Sequence, residues 1–137
     1  LKEPARTLAI FDQLPAEDRR RSTLAMTAFD VLLETQRYAD ALQGRSFVQM
    51  TQQFERGAEE RPFTANSPDP ERLRKAQREY LVSSTAKHVE ALAGAEKLEQ
   101  ARTLAGKLLA LDHSAETRDV LQRHVERAGQ ADLLKGL

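Results

Sequence analysis

Three histidines, His88, His113 and His124, are the side chains of this sequence best suited to acid–base or metal chemistry. No two of them stand three or four residues apart, and the sequence contains neither an HExxH motif nor another dense cluster of ligands. Ser83 and Ser84 precede His88 by about one helical turn, so a hydroxyl group could reach the imidazole. The neighbouring residues supply no nucleophile turn and no oxyanion hole. We therefore interpret the histidines as turn or helix-surface residues and predict no catalytic residue, no metal site and no cofactor.

Basic residues form two short clusters, at 19–21 and along 72–78, and each cluster adjoins acidic residues. This mixture of signs is typical of solvated helix faces with intrahelical ion pairs. The chain has 21 basic and 21 acidic residues, and aromatic side chains do not alternate with the basic ones as they do where single-stranded bases stack. We therefore expect no nucleic acid partner, and we keep Arg74 and Arg78 as candidate contacts to a protein partner.

Length and composition predict one helical domain that folds in water. The 137 residues suffice for one hydrophobic core and are too few for two ordinary domains, so we expect a single domain over residues 1–137. Alanine and leucine dominate the apolar residues, whereas valine and isoleucine are scarce, which favours an all-α fold. The lack of cysteine excludes disulfides, thiolate metal sites and a cysteine nucleophile. No apolar run approaches the roughly 20 residues that span a bilayer, so we predict no membrane insertion.

The spacing of apolar residues predicts about six helices. Their expected spans are 4–14, 16–18 to about 35, 38–54, 71–93, 95–109 and 114–129, and a last turn follows at 133–137. Gly44 interrupts the third span, where we expect a kink or a break because glycine costs about 1 kcal/mol relative to alanine in a helix interior. Ser114 is expected to cap the start of the sixth helix, and Gly129 is expected to cap its end.

The stretch 57–70 is the one long loop that the sequence predicts, since it is rich in proline and polar residues and has no sustained periodicity. Its end is typical of a helix start, with Asp69 as the cap and Pro70 in the first turn; a start at Ser67 and Pro68 is the alternative. A long irregular connection in a small helical domain favours either function or simple mobility. We therefore add Arg61 and Phe63, in the middle of this loop, to the candidate partner-binding residues.

Several helices carry apolar arcs wider than a helix needs when it lies on one neighbour. The fourth helix, for example, places Ala76, Tyr80 and Ser84 on one line and Leu81 and Thr85 beside it. Such helices are expected to touch neighbours on two sides. Six helices with mostly short connections then form either a bundle or a stack of antiparallel helix pairs.

Residues 104–134 resemble the helix-ending and helix-starting pattern of tetratricopeptide-repeat proteins. The matching residues are Leu108, Leu109, Asp112, Ser114, Leu121, Val125, Gly129 and Leu134. His113 stands where that family has a proline. Upstream, Ala101 and Ala105 look like the small residues that let the second helix of a pair approach its neighbours.

A weaker match to the same helix-turn-helix unit covers residues 25–48. The matching residues are Ala28, Leu32, Tyr38, Ala41 and Leu42. This segment departs from the family pattern at Phe29, where a small residue is usual, and at Arg45, where an aromatic residue is usual. The two matches together cover under half of the chain.

The resemblance implies an antiparallel helix-pair stack that acts as a non-enzymatic protein–protein interaction module, with a protein or peptide as its partner and self-association as a further expectation. The family's clamp for carboxylate-ended peptides has no counterpart among these residues, so no peptide class is implied. The alternative is an accessory domain of a larger enzyme or assembly whose catalytic part lies outside this chain. An enzymatic role for the chain itself would require distant helices to bring polar groups together in one cleft.

Overall fold

The structure of the chain is a computed structural model that describes residues 4–13, 23–43, 46–59 and 68–137. Every regular element in these ranges is a helix, which confirms the all-α prediction with about six helices. In chain order the helices are α1 (Pro4–Gln13), α2 (Thr23–Glu34), α3 (Tyr38–Leu42), α4 (Phe47–Ala58), α5 (Pro70–Gly94), α6 (Leu98–Leu111) and α7 (Ala115–Arg127). Among the described helices, none combines the length and apolar character needed to cross a bilayer.

The seventh helix arises because the predicted third span is divided into α3 and α4. The division falls where a kink or break was expected, although Gly44 and Arg45 themselves lie outside the described residues. Ser46 begins α4 with a capping box: its side chain accepts a hydrogen bond from the backbone N–H of Gln49, and the Gln49 side chain accepts one from the backbone N–H of Ser46. The predicted start of the second helix, at 16–18, is also outside the described ranges.

The predicted N-terminal caps of α5 and α7 are both present in the structure. Asp69 Oδ1 accepts a hydrogen bond from the backbone N–H of Arg72 at 3.1 Å, and Pro70 is the first residue of α5. The start at Asp69 and Pro70 is therefore confirmed over the alternative. Ser114 caps α7 in the same way, through the N–H of Thr117 at 3.2 Å. Before α5, helix α4 continues to Ala58, so the first two residues of the predicted 57–70 loop are helical.

Three helices, α2, α5 and α7, end in the same kind of turn. In each turn one residue adopts a left-handed conformation, and the N–H of the following residue donates to the carbonyl five residues before it, as in a Schellman motif. The left-handed residues are Gln36 (φ 59°), Glu96 (φ 65°) and Gly129 (φ 79°), so the turns are 60 and then 33 residues apart. The corresponding hydrogen bonds run from Arg37 to Leu32 at 2.8 Å, from Lys97 to Leu92 at 2.9 Å and from Gln130 to Val125 at 2.8 Å. The first two turns lead into α3 and α6, and the second explains why α6 begins at Leu98 rather than Ala95.

Helix α5 is the centre of the described structure, because α2, α3, α4, α6 and α7 all pack against it. Its two halves differ sharply. Residues 71–80 are exposed or half-buried, whereas from Leu81 to Ala93 most side chains are buried on every side. The fully buried side chains Leu92 and Leu104 join α5 to α6, and Val125 adds α7 to the same core. A second, smaller core lies between α2, α3 and Ala91 of α5.

Gly94, at the end of α5, gives the ring of Tyr38 the space to lie against the backbone of that helix. A Cβ atom at position 94 would lie 2.1 Å from Cδ2 of Tyr38, well inside van der Waals contact. The ring cannot easily retreat, since Tyr38 is buried and its hydroxyl group is held by Glu90 of α5. The glycine therefore fixes how closely α3 approaches α5.

Gly94→Ala is expected to lower the free energy of unfolding by about 1–3 kcal/mol, because it overpacks the contact between α3 and α5. Gly106→Ala is the matched control: a Cβ there would be 3.8 Å from its nearest neighbour, Cδ2 of Leu137, and alanine in a helix interior gains about 0.5–1 kcal/mol over glycine. Urea unfolding followed by circular dichroism measures both. Equal stabilisation by the two substitutions would contradict the close contact with Tyr38.

Candidate functional site

A groove of about 420 Å³ runs between α4 and the middle of α5. Phe54 and Gly57 of α4 lie on one side of it, and Tyr80, Leu81 and Thr85 of α5 lie on the other. Gly57 permits the close approach of the two helices, because a Cβ atom at that position would be 2.7 Å from Cδ1 of Leu81. The volume falls within the range of roughly 300–1,000 Å³ that is usual for ligand pockets.

The groove is apolar at its base and has little charge around it. Phe54 and Leu81 are 7% and 6% exposed, whereas Tyr80, at the edge of the groove, is 65% exposed. Glu59 is the one carboxylate among the described residues of the lining, and these residues include no lysine or arginine. The surface is therefore suited to an apolar group that keeps its own charges outside.

Thr85 places a buried hydroxyl group in the wall of this groove. The residue is 3% exposed, and its hydroxyl has no hydrogen-bond partner within the described part of the chain. Thr117, which is 4% exposed, shows the usual arrangement, because its Oγ1 accepts a hydrogen bond from the Ser114 hydroxyl at 3.2 Å. A buried hydroxyl without a partner destabilises the folded state by roughly 1–3 kcal/mol. Such a group is a feature expected at a binding site rather than in a closed core.

The structure separates the four candidate partner-binding residues. Arg61 and Phe63 lie outside the described residues. Arg74 and Arg78 are exposed in the first half of α5, one helical turn apart, and neither of them lines the groove. They are accessible to a partner but form a surface separate from the groove.

The three histidines occupy three different environments. His113 is exposed, and its Nδ1 lies 2.8 Å from the carbonyl oxygen of Leu109. The interpretation as a surface residue is wrong for His88, which is 4% exposed and meets the ring of Phe29 edge-on with centroids 5.4 Å apart. His88 is buried on the face of α5 that meets Phe29 of α2. His88 and Ser84 do share the groove lining, and the described residues contain no cluster of three metal ligands.

His124 belongs to a buried polar cluster centred on Glu90 of α5. Glu90 is fully buried, and both of its carboxylate oxygens are occupied. Oε1 accepts from Nδ1 of His124 at 2.6 Å and from Nη2 of Arg127 at 2.7 Å. Oε2 accepts from Nε of Arg127 at 2.8 Å and from the hydroxyl of Tyr38 at 3.0 Å. One carboxylate thus joins α3, α5 and α7 through charge-assisted and bidentate hydrogen bonds.

The pKa values of this cluster follow from its burial and its pairing. Burial alone would raise the pKa of Glu90, but the hydrogen bonds from His124, Arg127 and Tyr38 outweigh it and lower the pKa below its ordinary value. Burial is also the first cause that raises the pKa of Tyr38 to about 12, and the hydrogen bond to Glu90 adds to it. The hydrogen bonds that Arg127 itself donates to Glu90 raise the pKa of Arg127. Glu90 is therefore ionised and Tyr38 neutral at pH 7.

The cluster around Glu90 is not predicted by the sequence patterns above, although the sequence carries one signal of it. Glu90 interrupts the apolar run from Val89 to Ala93, in a helix whose apolar arc is wide. A carboxylate in a core position must find partners, because burying an unpaired charge is prohibitively costly. The sequence alone does not identify them, since Tyr38 is 52 residues away and His124 is 34 residues away.

Comparison of the chain with protein-family models, with curated proteins and with solved structures found no match.

Glu90→Gln is expected to lower the free energy of unfolding by about 1–3 kcal/mol near neutral pH, because it weakens the charge-assisted hydrogen bonds that a fully buried carboxylate accepts. The folded-state pKa of Glu90 is depressed, so its contribution is complete above the unfolded-state pKa of about 4.3 and is lost as the pH falls through the lower folded-state pKa. The difference between wild type and variant should therefore shrink below about pH 4. Urea unfolding of both proteins at several pH values measures this difference in the free energy of unfolding.

Glu126→Gln, at an exposed position of α7, serves as the control and should change stability by less than about 0.5 kcal/mol. A Glu90→Gln variant as stable as wild type at pH 7 would show that the carboxylate is not held as described.

Thr85→Val is expected to raise the free energy of unfolding by about 1 kcal/mol, because a methyl group of similar shape replaces a buried hydroxyl that has no partner in the described part of the chain. Thr117→Val should lower it by about 1 kcal/mol, since that substitution removes the acceptor of the Ser114 hydroxyl. Both threonines are buried in helices and both lose a hydroxyl group on substitution by valine. The two variants therefore differ in whether that hydroxyl has a hydrogen-bond partner, and thermal unfolding measures the effect. Destabilisation of similar size in both would mean that the Thr85 hydroxyl is already satisfied.

Proposed function

We propose that this chain is a non-enzymatic protein–protein interaction module, built from stacked antiparallel helix pairs of the tetratricopeptide type. The observation that carries the proposal is the recurrence of one helix-ending turn after α2, α5 and α7. The second and third turns are 33 residues apart, close to the repeat of 34 residues in that family. The first two turns are 60 residues apart, and α4 and the long connection lie between them.

Buried small residues give independent support to helix pairs. Ala101 and Ala105 of α6 are fully buried, as expected for residues that let the second helix of a pair approach its neighbours. Ala28 and Ala41 occupy buried positions in the first pair, formed by α2 and α3. Helix α5 packs against its partner α6 and against the following helix α7, which is the contact pattern of neighbouring units in a stack.

The buried polar cluster favours a structural role over catalysis. Its polar groups converge from three helices, but they satisfy one another: the four hydrogen bonds to Glu90 fill both carboxylate oxygens. Tyr38, the one hydroxyl in the cluster, has its pKa raised to about 12, which makes it a poor nucleophile near pH 7. Stacked helix pairs, by contrast, present extended surfaces that bind peptides or partner helices.

Partner capture combined with light scattering tests the proposed function. The immobilised chain is expected to retain a specific protein from extracts of the cells that express it, and chemical cross-linking should place the contact on this chain. Arg74→Gln combined with Arg78→Gln should weaken capture, because it removes two exposed positive charges of α5. Lys97→Gln combined with Arg123→Gln removes two charges at exposed positions elsewhere and serves as the charge-matched control. Failure to capture any protein, together with a monomer in light scattering at all concentrations, would contradict an interaction role.

A further inference from the structure

The α4–α5 groove has the dimensions and the surface of a pocket for a large apolar side chain. Its volume of about 420 Å³ is open to solvent between two helices, and Phe54 and Leu81 form an apolar base. Tyr80 stands at the edge with 65% of its surface exposed, in the position of an aromatic ring that a bound group would cover. Aromatic residues of this kind supply much of the binding energy in protein interfaces.

The charges around the groove restrict what can enter it. Glu59 is the one carboxylate among the described residues of the lining, and nearby Lys87 is paired with Asp30 at 2.9 Å. An acidic group would meet the like charge of Glu59, and a basic group would lose its hydration at the apolar base without gaining a partner there. The groove therefore matches an uncharged apolar side chain whose neighbours are not acidic.

Thr85 adds a polar requirement to this apolar site. Its hydroxyl group is buried in the groove wall and has no partner among the described residues, so an occupant that can hydrogen-bond gains more than a purely apolar one. A peptide group offers both a donor and an acceptor beside its side chain. Ser84, one residue earlier in the same wall, offers a second hydroxyl to the same occupant.

We propose that the α4–α5 groove receives an aromatic or long aliphatic side chain of a partner peptide, and that the peptide group beside this side chain hydrogen-bonds to the Thr85 hydroxyl. The inference rests on the proposed interaction function and identifies the surface and the chemistry of the partner. Tyr80 covers the inserted side chain from the rim. The exposed Arg74 and Arg78 are separate from this contact.

A random dodecapeptide library displayed on phage, selected on the wild-type chain, tests this inference. Selected peptides are expected to share an aromatic or long aliphatic residue without acidic neighbours. Ser84→Phe, which fills the groove, should raise the Kd of these peptides at least tenfold in fluorescence anisotropy. Ala76→Phe, at an exposed position of the same lining, provides a second filling variant in case Ser84→Phe does not fold by circular dichroism.

Two pairs of variants separate binding from stability. Thr85→Val should raise Kd three- to tenfold although the variant is more stable, whereas Thr117→Val should leave Kd within twofold. Tyr80→Ala should raise Kd about tenfold. Val48→Ala, which shortens an equally exposed side chain of α4 that does not line the groove, should leave it unchanged.

Three results would overturn the inference. Peptides that bind both groove-filled variants as tightly as wild type would place the contact elsewhere and leave the proposed function intact. A library that yields no binding peptide would remove this groove as a peptide site, while partner capture decides the function separately. Self-association that either filling variant abolishes would assign the groove to a second copy of the chain instead.

Discussion

A single buried carboxylate constrains how three helices of this protein fit together. Glu90 is removed from water at the level where α3 and α7 meet α5, and the free energy of that burial is offset only if all its partners are in place. The two oxygens receive hydrogen bonds from helices on different sides. The separation and the relative rotation of α3 and α7 on α5 are therefore set by hydrogen-bond geometry, which is more directional than apolar packing.

The same cluster links the core to the turns that end the helices. Tyr38 begins α3 directly after the left-handed turn at Gln36, and its ring lies against Gly94, next to the equivalent turn at Glu96. The side-chain amide of Gln36 donates to the carbonyl of Arg127 at 3.2 Å, where α7 ends. All three recurring turns thus lie around one cluster. The first half of α5 extends beyond this cluster and is largely exposed. The groove between α4 and α5 lies where the buried half of α5 begins.

The sequence predicts those parts of this fold that depend on local chemistry. Asp69, Ser114 and Gly129 were recognisable because a cap uses a few residue types at fixed positions. The turns at Gln36 and Glu96 were not, since neither residue is one that prefers a left-handed conformation. The side chain of Gln36 donates a hydrogen bond to the carbonyl of Arg127, which is 91 residues away along the chain. No local sequence pattern predicts a contact of this kind.

The candidate site shows the same limit. The alignment of Ala76, Tyr80 and Ser84 along one line of α5 was predictable, and so was the proximity of Ser84 to His88. The stripe was expected to pack against another helix. Helix α4 covers only the base of the groove and leaves Tyr80 exposed. The Thr85 hydroxyl has no partner among the described residues, and this depends on which atoms from other helices reach it, so no local pattern predicts it. Local patterns therefore identified the elements, whereas contacts distant in sequence determine the groove.

A double-mutant cycle between Tyr38→Phe and His124→Asn tests most directly whether Glu90 couples the helices. Their side chains bind opposite oxygens of the carboxylate. The Tyr38 hydroxyl also lies 3.2 Å from the carbonyl oxygen of Arg127 in α7, so a Glu90→Gln background isolates the part of the coupling that Glu90 carries. The cycle is predicted to give a coupling free energy of at least about 0.5 kcal/mol in urea unfolding, and this coupling should vanish in a Glu90→Gln background. Effects that add within about 0.3 kcal/mol in the wild-type background would contradict the coupling.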